Sequence, residues 1–159
     1  MAQAPEDAIT AWSVLPAAPA PVGLYEHFTR VGDLVMLSAI SSARDGELVT
    51  GKVGRELDLE AGREAARRAA DNLLAVLVDA VRGNPAGIER LLMVRGYVNA
   101  AEDFPLVHKV IDAASERLIE TLGEERGRHA RTTLGCANLP NGNAVTLEAI
   151  AILRSGAQS

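Results

Sequence analysis

Aromatic residues are scarce in this chain: two Phe, two Tyr and one Trp, or 3% of its length. With 48% hydrophobic residues overall, the core has to be built from Leu, Val, Ile and Ala. Lysine is nearly as rare, at Lys52 and Lys109 alone, and the net charge is −5. A phosphate-binding surface needs a clustered positive face. The tightest cluster, Arg63, Arg67 and Arg68, alternates with Glu60, Glu64 and Asp71, as on a solvated helix face laced with ion pairs. This balance disfavours nucleic acid as a partner. The single cysteine, Cys136, excludes an internal disulfide. Between Gly135 and Ala137 it reads as a small core residue rather than a reactive thiol. No run approaches the roughly 18 apolar residues of a membrane span. The N-terminus lacks the basic and apolar regions of a signal peptide. A soluble cytoplasmic protein is the expectation. His27, His108 and His129 are far apart and show no metal-ligand spacing, and no phosphate-loop or dinucleotide-binding glycine pattern occurs. Neither a metal nor a cofactor is expected.

The length of 159 residues suits one domain. Residues 1–22 hold four of the seven prolines and predict an extended arm, with one short helical turn near Glu6–Trp12. Residues 23–154 then form a single domain. Tyr25–Arg30 and the apolar run Leu34–Ala39 read as strands about a Gly32-Asp33 turn. Asp58–Arg82 reads as a helix, with Asp58 as N-cap, an apolar stripe at Ala66, Ala69, Leu73, Val76, Leu77 and Ala80, and Gly83 as its stop. Ile88–Ala100 is a strand. Asp103 caps a second helix with Pro105 in its first turn and a stripe from Val107 to Leu122. Glu124–Arg128 is a charged loop. The last segment, from His129 to Leu153, holds two strand-like runs split by Leu139-Pro140-Asn141-Gly142-Asn143, which predicts a hairpin. The fold class is α+β: a mixed sheet with two helices packed on one face. Its other face is too apolar to meet water, which predicts oligomerisation through it.

The closing strands also hold the candidate chemistry. Arg131 shares a strand face with Thr133, Gly135 and Ala137, and these small neighbours leave room for an anion at the guanidinium. It can equally form a structural ion pair with Glu148 or with an acidic residue of another subunit. Thr146 and Glu148 share a face of the other strand. A carboxylate in an apolar strand can serve as a general base, or as the partner of Arg131 or Arg95. His129 lies beside Arg128 and reads as a surface residue. His108, in the first turns of the second helix, could reach a site near the helix start.

His129-Ala130-Arg131-Thr132, Leu139-Pro140 and Val145–Ala151 together resemble the closing signature of the YjgF-like family, the RidA-like reactive-intermediate deaminases. The similarity runs from about Ala20 to Leu153. It takes in Gly23-Leu24-Tyr25, the strand Leu34–Ser38, Thr50-Gly51-Lys52-Val53-Gly54, the helix with Asn72-Leu73-Leu74-Ala75, and Val94–Asn99 with Asp103-Phe104. The match is closest to a divergent branch. The resemblance implies a chorismate-mutase-like homotrimer, with helices outside a sheet-lined barrel and small-molecule sites at the subunit interfaces. It implies hydrolysis of imine or enamine intermediates derived from amino acids. By the same resemblance Arg131 holds the substrate carboxylate, Tyr25 and Ser38 line the site, and the residue at position 146 orients water.

The chain departs from that pattern in three places. Thr146 replaces a glutamate, Ala39-Ile40 stands where Gly-Gln is usual, and His108 stands where deaminating members often carry Asn. The expected site is therefore Arg131, Glu148 and Thr146 for catalysis, with Tyr25, Ser38, Thr133 and His108 binding a small carboxylate. A non-deaminating carboxylate binder, or a pathway-specific enzyme on the same fold, is the alternative.

Overall fold

The computed structural model describes residues 12–156. Apart from Trp12, the helical turn expected near the start of the chain lies outside them. Helix α1 (Leu59–Ala80) forms where the stripe predicts it. Asp58 Oδ1 accepts the Ala61 N–H at 2.8 Å, and Glu60 puts negative charge in the first turn. Gly83 follows in the left-handed region at φ 84° and returns its N–H to Val78 O at 2.9 Å. The whole predicted stripe is buried.

Helix α2 (Val107–Leu122) starts later than expected, and Asp103 does not cap it. Phe104 precedes Pro105, and a residue before proline is steered out of the helical region. The chain instead turns first, through a Phe104 N–H to Ala101 O bond of 3.0 Å. The expected charged loop contains a short helix, α3 (Glu124–Gly127).

Five strands form one mixed sheet: β1 (Phe28–Val31), β2 (Leu34–Ser41), β3 (Ile88–Asn99), β4 (Ala130–Cys136) and β5 (Val145–Leu153), in the order β1-β2-β5-β3-β4. The hairpin expected between β4 and β5 is absent, because β3 lies between them. β4 runs parallel to β3 and β5 antiparallel to it. The physical reason is burial. β5 is buried on its helix-facing side and half-buried on the other and occupies the sheet centre, whereas β4 is largely exposed and takes an edge. Pro140–Gly142 makes a 3-10 turn that carries the chain across rather than back. Tyr25 also lies outside the sheet, three residues ahead of β1.

Both helices cover one face. Leu147, Ala149, Ala151 and Leu153 of β5 point into it and are at most 3% exposed. Gly96 on β3 permits the close approach of α2: a Cβ there would lie 2.6 Å from Ile111 Cδ1. The opposite face is open in the single chain and carries exposed Leu34, Met36 and Leu134.

Candidate functional site

A cavity of about 630 Å³ opens on the uncovered face, between the β2–β5 end of the sheet and residues 19–25. A register irregularity in β2 between Leu37 and Ile40 turns Ser38 toward it. The Ser38 hydroxyl donates to Glu26 O at 2.7 Å, and the Ser38 N–H donates to His27 O at 2.9 Å. His27 Nε2 is bonded to Pro19 O, which fixes the approach segment against β1. Pro19, Ala20, Val22 and Tyr25 therefore wall the cavity on one side, and Leu139 and Pro140 wall it on another. Thr146, Glu148 and Tyr97 form the sheet side.

Thr146 is 7% exposed and sits between Ser41 and Tyr97 in the register. Glu148 lies directly opposite Arg95, whose Nη1 donates to Glu148 Oε1 at 2.6 Å. That hydrogen bond raises the Arg95 guanidinium above its ordinary value. Burial and the nearby Glu148 charge push the Tyr97 phenol up as well. Of the alternatives open for Glu148, the structure realises the pair with Arg95 and not the one with Arg131.

Arg131 lies elsewhere. It is in register with Val94 and faces the helices. Its Nη2 meets Asp112 Oδ1 at 2.9 Å, and its Nη1 donates to Ser115 Oγ at 3.1 Å. Within the chain its acidic partner is thus Asp112 of α2 and not Glu148. Against a burial that favours the neutral form, Arg131 and Lys109 hold the Asp112 carboxyl below its usual range. Thr133 shares this helix-facing side, and its Oγ1 is buried without a partner. β4 is three strand spacings from β2, or about 14 Å, and Arg131 lies on the opposite face from the cavity. The structure brings Tyr25, Ser38, Thr146 and Glu148 together and leaves Arg131 and Thr133 apart. His108 is exposed in the first turn of α2 and does not reach the cavity.

Sequence reasoning missed Tyr97 as a wall of the cavity, and Asp112 and Ser115 as partners of Arg131. Asp112 and Ser115 are three residues apart on α2 and so share a face, a signal available in the sequence. His129, read as a surface residue, is half-buried and bonded to Ser115 Oγ at 3.2 Å. Among the described residues no group of three or more His, Cys, Asp or Glu could hold a metal ion, and no helix is long and apolar enough to cross a membrane.

This arrangement can be compared with known proteins. The family model described as "YjgF/chorismate mutase-like, putative endoribonuclease" matches residues 6–153. The chain belongs to the YjgF family. Protein TCP17 of Trypanosoma cruzi is 32% identical over 142 residues, covering 89% of this chain and 88% of that protein. A 2-iminobutanoate/2-iminopropanoate deaminase of Dermatophagoides farinae is 28% identical over 140 residues, covering 87% and 92%. A crystal structure of "a putative endoribonuclease" from Shewanella oneidensis superposes with a TM-score of 0.87 at 29% identity, covering 95% of this chain and 100% of that one. The YjgF resemblance read from the closing strands and the α+β sheet therefore both hold.

Proposed function

We propose that this YjgF-family protein hydrolyses imine or enamine intermediates of small carboxylates, at sites completed between copies of a homotrimer. The observation that carries this reading is the division of the candidate residues. Tyr25, Ser38, Thr146 and Glu148 line one cavity, while Arg131 sits at the far edge of the sheet. A substrate whose carboxylate adjoins its C=N carbon cannot span both within one chain. An Arg131 from a second copy, set at the open β1–β2 edge, would complete the constellation. The exposed Leu34, Met36 and Leu134 supply apolar area for such an interface. The kinship with an iminobutanoate deaminase supports the substrate class.

In this reading Arg131 of one copy binds the substrate carboxylate through paired hydrogen bonds. Tyr25 and Ser38 of its neighbour line the pocket, and Thr133 lies beside Arg131 on the copy that supplies it. His108, exposed on α2, would contribute only if the assembly brought it to a neighbour's cavity. Thr146 and Glu148 place a water at the C=N carbon. Addition gives a carbinolamine; the C–N bond then breaks, leaving a keto acid and ammonia. Orientation supplies most of the acceleration, and loss of the arginine contact costs about 2–4 kcal/mol in the transition state.

A second reading has its own support. Glu148 is already paired with Arg95, and Thr146 is uncharged, so neither is a free base. The same site would then bind a small carboxylate without turning it over. Ammonia release from freshly generated 2-imino acids separates the two readings. Fast release that Arg131→Ala abolishes, in a protein of unchanged assembly, supports the deaminase. Unchanged turnover in Arg131→Ala refutes the assignment. Binding of 2-oxobutyrate with no release supports the binder.

A further inference from the structure

The hydrogen bonds around Arg131 form a chain whose direction is fixed by chemistry. Arginine only donates, so Ser115 Oγ, 3.1 Å from Arg131 Nη1, is the acceptor there. Ser115 keeps its own proton, which it can donate to His129 Nε2, 3.2 Å away. That requires His129 Nε2 to carry a lone pair. The other ring nitrogen, Nδ1, lies 2.6 Å from Gly127 O, a carbonyl that can only accept, so Nδ1 carries the hydrogen. With Ser115 donating, His129 is neutral and holds the Nδ1–H tautomer. The Gly127 anchor is itself fixed, since a Cβ there would lie 2.8 Å from Ile119 Cα. On the other side of the guanidinium, Asp112 Oδ1 accepts from Nη2 at 2.9 Å, and its second oxygen faces Lys109 Nζ at 3.4 Å.

Two of the five guanidinium N–H donors are thus held from α2, and three remain. We propose that Asp112, Ser115 and His129 are positioning residues that clamp Arg131 so that its remaining donors face a carboxylate ligand, and that the clamp holds only while His129 is neutral. The inference rests on the reading of Arg131 as an anion handle. Ser115 is not placed as a nucleophile, because its oxygen already accepts from a cation. Protonated His129 would turn its bond to Ser115 round, so that one hydroxyl oxygen accepts from two cations, and its charge would repel Arg131. The charged groups around His129 are few. Arg131 faces it from β4, with Asp112 and Lys109 behind on α2; on its α3 side Arg128 is paired with Glu124. Burial, only partly opposed by the Gly127 bond and reinforced by the Arg131 charge, holds His129 below its ordinary value and favours the neutral form.

Two measurements on the full chain test this. The first is the His129 tautomer by nitrogen-detected imidazole NMR, assigned with H129Q. Nδ1–H is expected; the Nε2–H tautomer overturns the clamp. The second is calorimetric binding of 2-oxobutyrate at about pH 7.5 and at a pH where NMR shows His129 protonated. Wild-type affinity should fall roughly tenfold on protonation, S115A should lose a similar factor and its pH dependence, and S115T should recover it. If R131A abolishes binding while S115A and protonation leave it unchanged, the clamp is wrong and the anion handle stands. If R131A leaves wild-type affinity intact, or wild type does not bind, the handle reading fails, and the tautomer alone decides the hydrogen-bond chain.

Discussion

Gly96→Ala tests whether the closeness of sheet and helix is real. A methyl at Gly96 would lie 2.6 Å from both Ile111 Cδ1 and Cγ1, and 2.8 Å from Cγ2. Rotating one terminal atom away does not relieve this, because both branches at Cβ are in contact. Ile111 is fully buried, so it has no solvent to swing into. Overpacking of this kind costs about 1–3 kcal/mol. For a chain of this size the melting point should drop about 2–4 °C for each kcal/mol. Ile111→Ala removes all three clashing atoms and alone costs about 2–5 kcal/mol through lost burial and cavity. In Gly96→Ala/Ile111→Ala the new methyl no longer clashes and partly refills the cavity. The double variant should be more stable than the summed single losses by about 1 kcal/mol or more. Urea unfolding at one fixed protein concentration measures all three, since any assembly makes stability depend on concentration. A neutral Gly96→Ala, or additivity within about 0.5 kcal/mol, refutes the contact.

The remaining predictions concern the site. Thr146→Glu restores a carboxylate to the cavity wall and should raise ammonia release from 2-imino acids about tenfold or more; a rate no higher than wild type would count against position 146 as the water-placing site. Acid stability carries the signature of His129. Its folded value lies below the ordinary 6.5, so the unfolded chain binds more protons as pH falls through 6.5. Stability therefore drops with falling pH below 6.5, down to the folded value, and is unaffected by this residue above that window. Equilibrium unfolding across that range should show a shallower drop in His129→Gln than in wild type; identical slopes would exclude a buried neutral imidazole.

Much of the fold was legible because its signals are local. The α1 stripe, the Asp58 cap and the Gly83 stop each decide a boundary within a few residues. The hairpin failed for the opposite reason. Pro140-Asn141-Gly142 marks a turn, but a turn does not choose a strand's neighbour. That choice lies in β5, whose Val145–Leu153 is apolar, buried on its helix-facing side and half-buried on the other, and so takes the sheet centre. The strand–helix–strand order of β3, α2 and β4 held the missing clue, since a helical crossover is what a parallel pair requires. The same failure hid the partners of Arg131. The predicted hairpin put β4 next to β5 and so pointed to Glu148 as a partner; a parallel β4 instead sets Asp112 and Ser115 of the crossover helix beside Arg131.

The two ion pairs constrain what the cavity can do. Glu148 is oriented by Arg95 at 2.6 Å, and protonating it would break that pair. A carboxylate in that state holds a water's hydrogen in place more readily than it takes it. The other polar groups at the cavity are the hydroxyls of Tyr25, Ser38, Ser41 and Thr146, the amides of Asn141 and Asn143, the His27 imidazole, which is tied to Pro19 O with its Nδ1 buried, and the Tyr97 phenol, pushed up chiefly by burial. A site built this way orders water well and deprotonates it poorly. It suits a substrate whose C=N carbon is electrophilic enough for neutral water to attack, as a protonated imine is. On that reasoning the rate should follow protonation of the substrate nitrogen, and Thr146→Glu would add a carboxylate that Arg95 does not already hold.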